Sequence, residues 1–226
     1  MNPYLPREAE IVGRTQESPN TFTLELRLTD GEPYDFSPGQ FNMLYLYGSG
    51  EVPISIVADA EDTGVLSHTI RALGRITNGM AALKVGDRIG LRGPYGRWWP
   101  MHEAEDRDVV VVTGGLGCAP SVSIIHHILT HRRRYGHLSI LQGVKHTDDL
   151  IWRRQYDAWA QLPDVEVHLA ADVAEPGWHG HVGLVTALFD YLQLKPDRTI
   201  AMLCGPEIMM RASAEGLHML GLAEDA

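Results

Sequence analysis

Asp108-Val109-Val110-Val111-Val112-Thr113-Gly114-Gly115-Leu116-Gly117-Cys118-Ala119-Pro120 decides how the second half of this chain folds. Its opening is a β-branched run without polar alternation, the pattern of a parallel strand buried on both faces. Glycines then break the strand, and Val122, Ile125, Ile128 and Leu129 of the segment Ala119 to Thr130 recur at helical spacing. A strand, a glycine turn and a helix in succession have two readings. Either the glycines let the backbone approach a pyrophosphate, with the helix N-terminus offering N–H groups and partial positive charge, or they only allow tight strand-to-helix packing. Pro120 suits a first helical turn, where its missing N–H costs nothing. The spacing departs from G-x-G-x-x-G, and no acidic residue clearly ends the next strand as a ribose partner.

Downstream, the alternation continues. Leu138 to Val144, Val165 to Ala170 and Thr199 to Leu203 read as strands, and Leu150 to Gln161, Leu184 to Leu192 and Pro206 to Leu220 as helices. This is a βαβ series with a parallel sheet. The last strand runs into Cys204-Gly205-Pro206. Ligands of open α/β sheets bind beyond the carboxyl ends of the strands, so Cys204 and Gly205 are expected on the same side as Gly114 to Gly117. Alternatively Cys204 is a small buried residue at a strand end, as cysteine often is.

Upstream, short alternating segments separated by turn residues predict an antiparallel sheet or small barrel. They are Phe22 to Leu28, Phe41 to Tyr47, Pro53 to Ala58, Leu66 to Ala72 and Asp87 to Leu91, with breaks such as Gly48-Ser49-Gly50 and Asp62-Thr63-Gly64. Thr77 to Leu83 reads as a Thr or Asn cap followed by a short helix, and Gly93-Pro94-Tyr95-Gly96 as a tight turn. The charged stretch Glu103 to Arg107 marks the change of pattern, which gives two domains, residues 1–103 and 104–226.

Composition excludes several classes. The 226 residues carry a formal net charge of −10, the reverse of what phosphate neutralisation by a nucleic-acid binder needs. No apolar run approaches the roughly 20 residues of a membrane span, and no secretory signal is visible in MNPYLPREAEIVGRT, so a cytoplasmic protein is expected. Cys118 and Cys204 are the only cysteines. Among the 11 histidines, His126 and His127 point apart on a helix, and His179 and His181 have no carboxylate or cysteine cluster beside them, so no metal site is expected. Trp98-Trp99 reads as packing or a docking surface, and Arg132-Arg133-Arg134 as a solvated helix end.

The order of a small barrel and then a nucleotide-binding α/β half resembles the ferredoxin-NADP reductase superfamily, across nearly the whole chain. Within it the sequence is most similar to the FAD- and NAD(P)-binding gamma (diaphorase) subunits of cytoplasmic nickel-iron hydrogenases and sulfhydrogenases. It is also similar to the electron-transfer subunit of dihydroorotate dehydrogenase B. The resemblance implies an FAD-dependent electron-transfer subunit that exchanges hydride with NAD(H) or NADP(H) and passes single electrons to iron-sulfur clusters of a partner in a hetero-oligomer. Val52-Pro53-Ile54-Ser55 matches the flavin motif R-x-Y-S at Ser55, with Val52 at the arginine position and Ile54 at the tyrosine position. Thr69-Ile70-Arg71 is expected to supply the missing cation through Arg71, and Gly74-Arg75-Ile76-Thr77 to cap the flavin pyrophosphate, Thr77 donating its hydroxyl and its N–H.

By the same resemblance Gly114, Gly115, Gly117, Cys118, Ala119 and Pro120 form the pyridine-nucleotide loop. Cys204 in Cys204-Gly205-Pro206 helps position the nicotinamide and is not a covalent nucleophile. Lys145 and His146 suit a 2′-phosphate whereas Asp148 and Asp149 suit a free 2′-hydroxyl, and the acidic pair tips the reading toward NAD. A two-iron two-sulfur cluster needs four clustered cysteines, so it is expected on a partner or on a C-terminal segment beyond Gly221-Leu222-Ala223-Glu224-Asp225-Ala226. Two other readings follow from the same residues. One is a free-standing ferredoxin or oxygenase reductase, and the other is a regulatory nucleotide-binding module without flavin, suggested by Val52.

Overall fold

The computed structural model describes residues 5–61 and 64–223. Asp62 and Thr63 of one expected break, and Glu224 to Ala226, lie outside them. Contacts divide the chain into two compact units, Met1–Trp99 with Val122–His127, and Pro100–Ser121 with Ile128–Ala226.

The first unit holds β1 (Arg7–Ser18), β2 (Thr21–Leu28), β3 (Phe41–Leu46), β4 (Gly50–Ser55), β5 (Leu66–Arg71), the short helix α1 (Arg75–Ala81) and β6 (Arg88–Tyr95). They form an antiparallel six-stranded sheet in the order β4-β3-β6-β1-β2-β5. Its ends meet, because the Val57 N–H donates to the Ser67 carbonyl at 2.9 Å, which makes the sheet barrel-like. Alternating residues Phe22, Leu24, Leu26, Leu66, Ile70 and Leu91 fill the interior.

β1, the longest strand, carries no sequence alternation: its pairing with β2 shifts register between Ile11 and Gly13 and again between Gln16 and Ser18, which breaks the pattern that marks a strand. β6 runs on through Gly93-Pro94 to Tyr95, so this stretch is strand with an irregular register against β3 and not a tight turn. The α1 cap is Gly74, with Thr77 as the third helical residue reaching back to it.

The second unit holds β7 (Asp108–Gly114), the two ends of α2 (Cys118–Thr130), whose middle, Val122–His127, is grouped with the first unit, β8 (Leu138–His146), α3 (Arg153–Trp159), β9 (Val165–Val173), the two-residue β10 (His181–Val182), β11 (Thr199–Cys204) and α4 (Glu207–Met219). The five strands are all parallel, in the order β10-β9-β8-β7-β11. β7 is buried throughout, as an inner parallel strand should be. Val110 and Val112 pack with Leu141, Leu188, Phe189 and Leu217 on one face. The expected helix Leu184 to Leu192 is a 3-10 segment over Val185–Tyr191, whose Val185 and Phe189 still point into this core. No helix among the described residues is long and apolar enough to cross a membrane.

Candidate functional site

β7 and β11 lie side by side in register, with Cys204 opposite Thr113, so the glycine loop and the Cys204-Gly205-Pro206 turn leave the sheet at the same carboxyl end. They touch through bare backbone. A Cβ on Gly117 would collide with the Cys204 carbonyl and lie 2.9 Å from the Gly205 Cα, and one on Gly205 would lie 3.0 Å from the Gly114 nitrogen. Met209 of α4 closes the other side, its Cε 2.9 Å from a Cβ at Gly205. Gly115, by contrast, has φ +54°, and nothing lies within 4 Å of where its Cβ would stand. The loop is therefore pinned on its inner side and open on its outer side.

Two side chains hold it. Ser121 Oγ donates to the Gly117 carbonyl at 3.0 Å. Gln142 of β8, which is 1% exposed, donates from Nε2 to the Gly115 carbonyl at 3.0 Å, and its Oε1 accepts from the Thr113 hydroxyl. Gln142 gave no signal in the sequence, where it is one polar residue inside an apolar strand. Cys118 is turned inward and in hydrogen-bond contact with the buried Tyr156 hydroxyl, so only its backbone is available to a ligand. Ala119 is also buried, and Pro120 sits in the first turn of α2. Burial pushes the Cys204 thiol up, partly offset by its hydrogen bond with Ser121, so it stays protonated near neutral pH. Beyond β8, Lys145, His146 and Asp148 are exposed, whereas Asp149 accepts from the His146 N–H at 3.2 Å and caps the turn.

In the first unit, β4, the end of β5 and α1 carry the other candidates. Pro53 is exposed; Ile54 and Ile76 are partly buried and pack against the barrel core. Ile70 lies wholly inside that core, so it offers only backbone, and Thr69 is turned to Thr23, with hydroxyls 2.8 Å apart. The Ser55 carbonyl is 2.9 Å from His68 Nδ1. The Thr77 hydroxyl accepts from the N–H groups of Leu73 (3.1 Å) and Gly74 (3.0 Å), so it is engaged in capping; its own N–H is one of the first-turn donors a helix leaves free. Arg92 is held by Glu51 in a two-point ion pair, which keeps that carboxyl below the usual range. Arg71 differs: its Nε is buried with no hydrogen-bond partner among the described residues.

A barrel-like antiparallel unit followed by a parallel α/β unit with a glycine loop at its carboxyl end defines a flavin- and pyridine-nucleotide-dependent oxidoreductase. The family model for an oxidoreductase FAD-binding domain matches residues 8–99, and that for an oxidoreductase NAD-binding domain matches residues 111–215. The chain belongs to the ferredoxin reductase family and is an NAD(P)H-dependent flavoprotein oxidoreductase. It is 33% identical to sulfhydrogenase 1 subunit gamma of Pyrococcus furiosus over 84% of this chain and 66% of that one. It is 32% identical to a probable dihydroorotate dehydrogenase B (NAD(+)) electron transfer subunit of Methanopyrus kandleri, over 93% of this chain and 74% of that one. The fold matches a ferredoxin NADP+ reductase from Neisseria gonorrhoeae with a TM-score of 0.81 at 23% identity, over 96% of this chain and 92% of that one.

The residues present fit the groups this family uses. A guanidinium nitrogen buried without a partner at Arg71 suits an anionic group, since leaving it alone costs about 1–3 kcal/mol. Gly114 and Gly117 are glycine because Met209 and Cys204 stand where their Cβ atoms would be, while at Gly115 the backbone is left bare on the open side of the loop, where N–H groups can meet an anion. No group of three or more His, Cys, Asp or Glu residues among those described is arranged to hold a metal ion.

Proposed function

We propose that this chain is the diaphorase subunit of a larger redox complex, with residues 1–103 holding FAD and residues 104–226 holding NAD(H) or NADP(H). The reading rests above all on the likeness to a sulfhydrogenase gamma subunit over 84% of the chain. When bound, FAD would accept two electrons as hydride and release them singly, which is what a link between a pyridine nucleotide and iron-sulfur clusters requires.

The chain's own share is binding and orientation. Pro53, Ile54 and Ser55, the backbone of Thr69 and Ile70, Arg71, and the Gly74-Ile76-Thr77 turn hold the flavin side. Gly114, Gly115, Gly117, Cys118, Ala119 and Pro120 hold the nucleotide through main-chain N–H groups, and Gly205 and Pro206 bound the nicotinamide. Cys204, with a thiol kept neutral by burial, orients that ring without attacking it. The partner is an iron-sulfur subunit, most simply of a nickel-iron hydrogenase, and carries the cluster; the setting is cytoplasmic. The exposed Asp148 beside the capping Asp149 favours NAD.

The test is the visible spectrum of anaerobically purified protein, followed by addition of NADH and then NADPH. A flavin band at about 450 nm that bleaches with NADH, together with reduction of a one-electron acceptor, is the expected result. No flavin band after incubation with FAD would overturn the proposal. Turnover with a soluble ferredoxin as fast as with any co-purified subunit would overturn the assignment of a dedicated partner.

A further inference from the structure

We propose that Gln142 is a positioning residue for nucleotide binding, setting the plane of the Gly115–Leu116 peptide so that the loop is preformed. The inference rests on the reading of Gly114 to Gly117 as the pyridine-nucleotide loop. Gln142 lies on β8, whose neighbours Leu138, Ile140, Leu141 and Val144 are buried and apolar. A buried amide in such a strand is costly unless every polar atom is used. Here Nε2 meets two acceptors, the carbonyls of Gly115 at 3.0 Å and Gly143 at 3.1 Å, while Oε1 meets the Thr113 hydroxyl. Two carbonyls face one end and a hydroxyl the other, so only one orientation of the amide satisfies all three.

The consequence for the loop follows from peptide geometry. A trans peptide is planar, with C=O and N–H antiparallel. With the Gly115 carbonyl held toward Gln142, the Leu116 N–H is directed away from it, to the open side of the loop. Side-chain packing does not supply this control, because nothing stands within 4 Å of the Gly115 Cβ position and glycine visits several φ/ψ wells at little cost; besides the 3-10 turn Gly115–Gly117, the contact that holds this carbonyl is the Gln142 carboxamide. The carboxamide of Gln142 is what selects the φ +54° conformer. Without it the loop would bind nucleotide only in the fraction of time spent in that conformer, weakening affinity without altering the chemistry.

The test compares wild-type protein with Gln142→Met, similar in length but unable to donate, by titrating NADH and NAD+ into the flavin-loaded protein and by steady-state kinetics. Loss of one such bond predicts Kd and KM for nucleotide raised about tenfold, with kcat at saturation and flavin content within twofold of wild type. Thr113→Val, which frees the same carboxamide at its other end, is expected to raise Kd about threefold, and less than that when combined with Gln142→Met. Unchanged Kd in folded Gln142→Met overturns the proposal, as does a kcat loss with unchanged KM. Should Gln142→Met not fold, unchanged Kd in Thr113→Val overturns it instead. Failure of wild-type protein to bind either nucleotide would strike the loop reading itself, a separate outcome.

Discussion

Gly117 and Cys204 meet through main chain alone, close enough that no Cβ fits between them. The obstacle is a carbonyl in a parallel strand, which β7 holds in register, and not the movable end of a side chain. Gly117→Ala must therefore displace either the loop or the end of β11. Overpacking of this kind costs about 1–3 kcal/mol, a fall in Tm of roughly 2–12 °C for a chain of this size. Nucleotide affinity should fall with it, because the loop carries the binding N–H groups. Gly74→Ala is the matched control: its φ is −122° and nothing lies within 4 Å of the new methyl, so it meets no clash and loses only what alanine costs at the α1 cap, a smaller fall in Tm than that of Gly117→Ala. Thermal melts of both variants check the contrast, and equal shifts would refute it.

A second prediction concerns acid stability. Tyr34, Asn42 and His68 form a buried chain inside the barrel: the Tyr34 hydroxyl meets Asn42 Oδ1 at 2.5 Å, Asn42 Nδ2 meets His68 Nε2 at 3.4 Å, and His68 Nδ1 meets the Ser55 carbonyl at 2.9 Å. A carbonyl only accepts, so Nδ1 carries the proton and Nε2 accepts from Asn42, which makes the ring neutral. Burial lowers its pKa from 6.5 to about 4. Above pH 6.5 the ring is neutral folded or unfolded and contributes no pH dependence. Below it the unfolded chain takes up a proton that the folded one refuses, so stability drops between pH 6.5 and 4, by roughly 3 kcal/mol at most. His68→Gln keeps a donor and an acceptor but does not titrate. Urea midpoints from pH 7 to 4 should fall less steeply in that variant than in wild type, and parallel slopes would rule His68 out as the cause.

The parts of the fold written most plainly in the sequence are those where burial dictates residue type. The Val109 to Val112 run announces a two-faced buried strand, and the glycines after it announce a place where backbone must come close. β1 was hidden because its two register shifts scramble the alternation, although it forms the middle of the sheet with β2 and β6. Thr77 was recognised as a capping residue but not in its actual place, because a hydroxyl that accepts from residues before the helix looks the same in sequence as one that starts it. Gln142 was invisible for a deeper reason. A polar residue in an apolar strand reads as a blemish until its three partners are seen, and two of them, the Gly115 carbonyl and the Thr113 hydroxyl, are brought close only by the pairing of β7 with β8.

Arg71 yields the last prediction. It ends β5 two residues after Thr69, on the face of the strand opposite to His68 and Ile70, which point into the barrel. Of the other arginines near this region, Arg75 of α1 donates to the Ser49 carbonyl, and Arg92 has its charge taken by Glu51, so it cannot serve an anion without breaking that pair. An Nε on Arg71 that is buried with no partner among the described residues thus calls for a negatively charged group, as the free first-turn N–H groups of α1 do, where Val52 leaves the family's arginine position apolar. A charge-assisted hydrogen bond contributes about 1.5–3 kcal/mol, so Arg71→Gln should weaken FAD binding by roughly 10- to 100-fold, and Arg71→Lys by less. Flavin fluorescence released on serial dilution measures this directly, with the Tm of flavin-free protein as the check on folding. If Arg71→Gln retains flavin as tightly as wild type, the cation that holds the flavin phosphates lies elsewhere, and the apolar variant of the motif works without one.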